Sequence, residues 1–283
     1  MEDKDKRTSP LCEDQLLLYA QDFSEVYKSE KSKRDELERI NQQLYKYAED
    51  LNQTVGVLKK ANDELKEAYI DTVNRLALAA EFKDEDTGDH IIRVSEYSAF
   101  LAKKLGLNRE EVEIILYATP MHDIGKVGIS DDILLKKGKL TPDEFITMKT
   151  HTIIGANILS NSKSKIIQVA ELIAMTHHEK WDGNGYPRGL KGTGIPIYGR
   201  IVAIADVFDA LTSRRPYKEP YPLDIALEII KQGKGTNFDP MIVNLFFEFI
   251  DDVLEIRNRV GSDVKITPGN IVWSERDLKR KTA

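Results

Sequence analysis

The sequence predicts an all-α protein in which a helical-bundle domain is preceded by a long coiled-coil helix. Three observations predict it. Leucine recurs at every seventh residue from Leu37 to Leu65. Two capping-box patterns mark helix starts further along. No stretch alternates apolar and polar residues long enough for a sheet, beyond a short possible strand pair near 263–273.

Residues 1–36 are polar apart from LLLYA at 16–20, and read as a polar helical arm. From 37 to 70, Leu37, Leu44, Leu51, Leu58 and Leu65 are each followed three residues later by Ile40, Tyr47, Thr54, Ala61 and Ala68. This is an a/d seam with charged and amide residues between, the pattern of a coiled coil. Almost nothing apolar lies off the seam, which points to a homodimer rather than to packing on the chain's own domain. No glycine or proline separates the end of this helix from the next domain, so it is expected to run into that domain and to carry a signal to it.

Residues 71–260 have the texture of a globular helical domain. Gly106 closes one helix, and Asn108 with Glu111 opens the next with a capping box. Thr141-Pro142-Asp143-Glu144 combines a cap, a proline at the first helical position and a glutamate at the third. Helical periodicity also fits 164–178, 198–212, 223–233 and 240–257. Residues 261–283 form a charged tail ending in KRKTA.

Composition narrows the function. A net charge of −6 excludes a broad nucleic-acid face, which needs a cationic surface, but leaves room for a small anion in a local basic pocket. The single cysteine, Cys12, excludes a disulfide framework and any Cys-x-x-Cys metal knuckle. No apolar run approaches the roughly 20 residues that cross a bilayer. MEDKDKRTSP lacks the apolar core of a signal peptide, so a soluble cytoplasmic protein is expected.

All five histidines, His90, His122, His151, His177 and His178, fall between residues 90 and 178. Asp123 comes directly after His122. Asp206 interrupts the apolar run IVAIADVFDAL, where a carboxylate must be paired or bound. The set His90, His122, Asp123, His151, His177, His178 and Asp206 offers more nitrogen and oxygen donors than one tetrahedral ion uses. It suits two or more ions of iron, manganese, zinc, cobalt or nickel. A two-metal site clamps both oxygens of an in-line displacement, the chemistry of phosphate-ester hydrolysis. After HHEKWDGNGYP the charge changes sign: Arg214, Arg215 and Lys218 form a basic stretch in SRRPYKEPYP, and Lys126 lies three residues after Asp123. Lys126, Arg215 and Lys218 are the expected phosphate contacts. Asp209, three residues after Asp206 and on nearly the same helical face, is counted with them on the substrate side.

His122-Asp123 with Ile124-Gly125-Lys126 resembles the HD phosphohydrolase signature. HHEKWDGNGYP, residues 177–187, resembles the HHExxDGxGYP motif of the HD-GYP subfamily, and the likeness runs from about Val73 to about Phe246. The resemblance implies an HD-type helical bundle and a di- or trinuclear centre, often of iron or manganese. It also implies hydrolysis of the bacterial second messenger cyclic di-GMP to pGpG or GMP by metal-activated hydroxide. It makes the seven residues above metal ligands, with Asp123 bridging. Lys126 becomes both catalytic and substrate-binding, Arg215 and Lys218 hold phosphate, and Tyr186 lies in the loop beside the pocket. In the trinuclear type a carboxylate precedes the first histidine by one helical turn; here that residue is Asp86. The chain departs from the family's apolar run before His-Asp with Thr119-Pro120-Met121, where the proline is expected to start a turn. Two rival readings remain: a dinucleotide-binding signalling scaffold without turnover, or a phosphodiesterase for another cyclic dinucleotide such as cyclic GMP-AMP.

Overall fold

The computed structural model describes residues 10–81, 83, 88–213 and 219–262. The chain divides into two compact units, Met1–Lys66 and Glu67–Ala283. The possible strand pair near 263–273 and most of the charged tail lie outside the described residues, as do residues 1–9. No described residue belongs to a strand; the one backbone bridge among them is Lys234 with Phe238.

Helix α1 spans Pro10–Glu81. From Pro10 onward the expected polar arm is therefore regular helix, with no break between residues 36 and 37. Counting back by sevens explains it: Leu16 and Phe23 continue the Leu37 positions, and Tyr19 and Val26 continue those of Ile40. Glu30 and Lys33 occupy the heptad between and form an ion pair at 3.5 Å. Leu37, Leu44, Leu51, Leu58 and Leu65 are all exposed. No helix among the described residues is long and apolar enough to cross a membrane.

The second unit begins with the last turns of α1, where Val73, Ala77 and Leu78 are buried. Next in the chain are α2 (Gly88–Lys104), α3 (Arg109–Ala118), α4 (Asp131–Leu134), α5 (Pro142–Lys149) and α6 (His151–Leu159). After these come α7 (Lys165–Thr176), α8 (Ile197–Thr212), α9 (Leu223–Gln232), α10 (Pro240–Glu248) and α11 (Ile250–Ser262). The α2 helix packs on α3, α8 and α11, and α7 packs on α3, α6 and α8. Tyr97, Phe208 and Phe246 meet edge-on at the centre, with centroids 5.5 and 5.0 Å apart.

Local chemistry sets the boundaries. Both capping boxes form: Asn108 Oδ1 accepts from Glu111 N–H at 3.0 Å, and Thr141 Oγ1 accepts from Glu144 N–H at 3.3 Å. Past α2, Leu107 N–H reaches Ala102 O at 3.1 Å while Gly106 takes φ 85°, a Schellman end. One expectation needs correction. The helix read across 240–257 breaks at Phe249 (φ −114°, ψ 32°) into α10 and α11. The bend lays Phe249 edge-on to Phe100 at 6.2 Å and beneath the Lys104 ammonium, 3.7 Å from the ring centroid. Cation and ring together offset the interrupted helix.

Candidate metal centre

Every histidine falls at or beside a helix end. The α3 helix stops at Ala118, and Pro120, lacking an N–H, lies in a 3-10 turn over Thr119–Met121 that ends on His122. Asp123 starts a second such turn, Ile124–Gly128. His151 opens α6, His177 caps α7, and His90 lies in the first turn of α2. Adjacent helical residues point about 100° apart; at helix ends the backbone turns, and the His122-Asp123 and His177-His178 pairs converge. Gly125 makes that convergence possible. A Cβ there would overlap the His151 carbonyl oxygen and the Gly155 nitrogen, so the turn carrying Asp123 lies backbone-to-backbone on α6.

The side chains form two groups. Asp123, His151, His177 and His178 bring one donor atom each within 4.8 Å of one another, and so do His90, His122 and Asp206. Asp123 stands between them. Its Oδ1 is 3.2 Å from His151 Nε2 and 3.4 Å from His177 Nε2, while its Oδ2 is 3.4 Å from His122 Nε2. Asp206 Oδ1 lies 3.6 Å from His90 Nε2 and 4.0 Å from His122 Nε2.

These donors fit divalent cations. The Nε2 atoms of His122, His151 and His177 and Oδ1 of Asp123 are buried without a hydrogen-bond partner. Leaving such atoms unpaired costs about 1–3 kcal/mol each. The other ring nitrogens are occupied: Nδ1–H of His122, His151 and His177 donates to Thr119 O, Met148 O and Ile173 O at 3.0, 2.7 and 3.0 Å. That fixes the tautomer in which each Nε2 lone pair faces the cluster. At His177 and His178 burial depresses the imidazole pKa, at His178 well below its ordinary value with His177 adding to the effect. At His122 burial is outweighed by the Asp123 charge and the pKa rises to about 9. Asp123 is likewise buried, yet Lys126 and His122 hold its carboxyl well below the usual range. The pocket therefore demands positive charge beside Asp123, a demand that a hard dication meets.

Of the expected substrate contacts, Lys126 is half-buried with Nζ 2.8 Å from Asp123 Oδ2. Tyr186 donates its backbone N–H to His178 O at 3.2 Å and lays its ring 4.8 Å from the His178 ring. The HHEKWDGNGYP turn folds back because Glu179 accepts from the N–H groups of Arg188 and Leu190 at 2.7 and 2.9 Å. The Tyr186-Pro187 peptide is cis. Asp86, Arg215 and Lys218 lie outside the described residues.

Asp209 occupies a different place from the one expected. It is fully buried on the far side of His90, whose Nδ1–H donates to Oδ2 at 2.8 Å. Arg93 Nε and Nη2 reach its two oxygens at 2.5 and 2.9 Å, and Ser213 Oγ donates at 3.1 Å. Burial would raise its pKa, but His90 and Arg93 pull it down to about 2. Asp209 is thus an anionic support for His90, inaccessible to a substrate. Sequence reasoning misses Arg93, whose only signal is its place one turn after His90. It also misses Glu81, a buried carboxylate ending α1 whose Oε1 has no partner and whose pKa burial raises.

An all-α domain that gathers histidines and aspartates from helix ends around one central carboxylate defines a class of metal-site helical bundles. The HD domain family model matches residues 59–242, and the chain belongs to that family. It is 44% identical over 217 residues to a cyclic di-GMP phosphodiesterase of Thermotoga maritima, covering 75% of this chain and 59% of that protein. It is 50% identical over 182 residues to the cyclic di-GMP phosphodiesterase response regulator RpfG of Xanthomonas campestris, covering 64% and 48%. It is also 46% identical over 194 residues to 3'3'-cGAMP-specific phosphodiesterase 2 of Vibrio cholerae, covering 69% and 37%. The chain thus spans only about half the length of these relatives.

Proposed function

We propose that this chain is a metal-dependent phosphodiesterase that hydrolyses cyclic di-GMP to pGpG, GMP or both. The observation carrying the reading is Asp123, whose two oxygens face separate donor groups, as a carboxylate shared by two cations would. His90, His122 and Asp206 would hold one ion and His151, His177 and His178 the other, a donor mixture open to several divalent transition metals, among which the HD-GYP resemblance favours iron or manganese. Asp86 is the residue that would recruit a third. When bound, the ions supply Lewis acidity at the scissile phosphate and lower the pKa of a water.

The chain's own residues do the rest. Lys126 donates to a phosphoryl oxygen and then to the departing 3′ oxygen as the P–O bond breaks. Arg215 and Lys218 grip the second phosphate, and Tyr186 walls the pocket. The exposed seam of α1 supports a homodimer that passes a partner's signal to the domain, in a cytoplasmic setting.

A second substrate, a mixed cyclic GMP-AMP, draws support from the 46% identity to a protein named for it. Retention of all seven donors speaks against a scaffold without turnover. The test is anaerobic purification, metal analysis and chromatography of cyclic di-GMP and cyclic GMP-AMP digests. Turnover of the first is expected, with loss in Asp123→Ala; undiminished turnover in that variant overturns the reading.

A further inference from the structure

No residue of the short helix α5 is buried, and its Phe145 is 45% exposed. The ring has a specific setting. It stands edge-on to Tyr186, centroids 6.3 Å apart at 80°. Tyr186 in turn lies 4.8 Å from the ring of His178 and 6.4 Å from that of His151. Lys149, one helical turn after Phe145, holds Nζ 4.7 Å from the Phe145 centroid and 5.6 Å from that of Tyr186. An unbroken series thus runs outward from the metal cluster: imidazole, phenol, phenyl, with an ammonium over the last two.

We propose that Phe145, Tyr186 and Lys149 form a purine subsite in which Phe145 stacks on one base of the cyclic dinucleotide. The proposal rests on the phosphodiesterase reading above. A nucleotide whose phosphate meets Lys126 extends its base toward the rim of the pocket, where Phe145 stands exposed. Base–aromatic stacking needs no hydrogen-bond code. Lys149 serves twice, polarising the rings from above and offering a donor to the phosphate or the acceptor edge of the base. A capping box and Pro142 fix the start of α5, so the ring is held ready on a rigid element.

Phe145→Leu keeps an apolar side chain and removes the stacking face, whereas Phe145→Trp keeps the face. KM and kcat are measured on the metal-loaded full chain with cyclic di-GMP and with methyl p-nitrophenyl phosphate, a diester with no purine. For Phe145→Leu we expect a KM for cyclic di-GMP raised about tenfold, a loss well beyond that on the small diester. Phe145→Trp should restore KM. Equal losses on both diesters would show that Phe145 merely props the Tyr186 turn, and an unchanged KM would also end the proposal. Wild-type protein that cleaves the small diester but not cyclic di-GMP would instead overturn the underlying reading, and the subsite with it.

Discussion

His90 and Asp209 form a buried pair in which Nδ1–H donates to Oδ2 at 2.8 Å, and Arg93 holds the same carboxylate from the other side. The pair turns His90 Nε2 toward Asp206. Weakening such a support lowers metal affinity by about 10–100-fold in comparable sites. Asp209→Asn is therefore expected to lose manganese to a competing chelator at correspondingly lower chelator concentration. Equal retention by both proteins would remove Asp209 from this role.

Gly125→Ala forces a methyl group into the backbone of α6. Overpacking of this kind costs about 1–3 kcal/mol, and here it also pushes Asp123 away from His151. Lower thermal stability and a lower metal-to-protein ratio are expected together. Gly56→Ala is the matched control: nothing lies within 4 Å of its Cβ position, and a mid-helix alanine should gain about 0.5–1 kcal/mol.

Chelation should destabilise the protein, because it returns four buried ligand atoms to the unpaired state. At free metal one hundred times Kd, binding to the native state contributes about 2.7 kcal/mol. Melting curves with excess manganese and with chelator should separate by several degrees. Superimposed curves would count against a metal centre in this cluster.

Glu144 accepts from Lys136 Nζ at 2.7 Å and from Thr141 N–H at 2.7 Å, and these bonds hold its carboxyl below the ordinary value. A depressed folded pKa stabilises above the unfolded pKa, and the contribution disappears as pH falls through the folded one. Glu144→Gln should thus be less stable than wild type at neutral pH, with the gap closing in acid. Denaturant midpoints at the two pH values decide it; a gap that widens in acid contradicts the assignment.

Leu44 and Leu58 lie exposed on the α1 seam. Replacing both with lysine places charge at a-type positions, where a paired helix would bury it. Sedimentation should find a dimer for the wild-type chain and a monomer for the double variant. A wild-type monomer would leave the seam without this use.

The parts of this architecture readable from sequence are those with local chemical signatures. Asn108 with Glu111 and Thr141 with Glu144 announce helix starts through their own backbone. Asp206 stands out because an apolar helix cannot absorb a lone carboxylate. Asp209 has the same residue type in the same helix, yet its ionisable partners His90 and Arg93 come from α2, 119 and 116 residues away in sequence. Spacing predicts its face but not its neighbour. The break at Phe249 is hidden for the same reason, since what turns the chain is Phe100 and Lys104 on another helix. Phe145 reads from sequence as an ordinary apolar residue, and only the fold brings it against Tyr186.

The aiming of the imidazoles divides the centre in an unforeseen way. His122, His151 and His177 are oriented by main-chain carbonyls, which no substitution can delete, whereas His90 depends on the side chain of Asp209. Among these four imidazoles, mutation of a supporting side chain can thus readily retune only His90. Over evolutionary time, drift in ion preference should be written at Asp209 and Arg93, while His122, His151 and His177 stay aimed as the backbone built them.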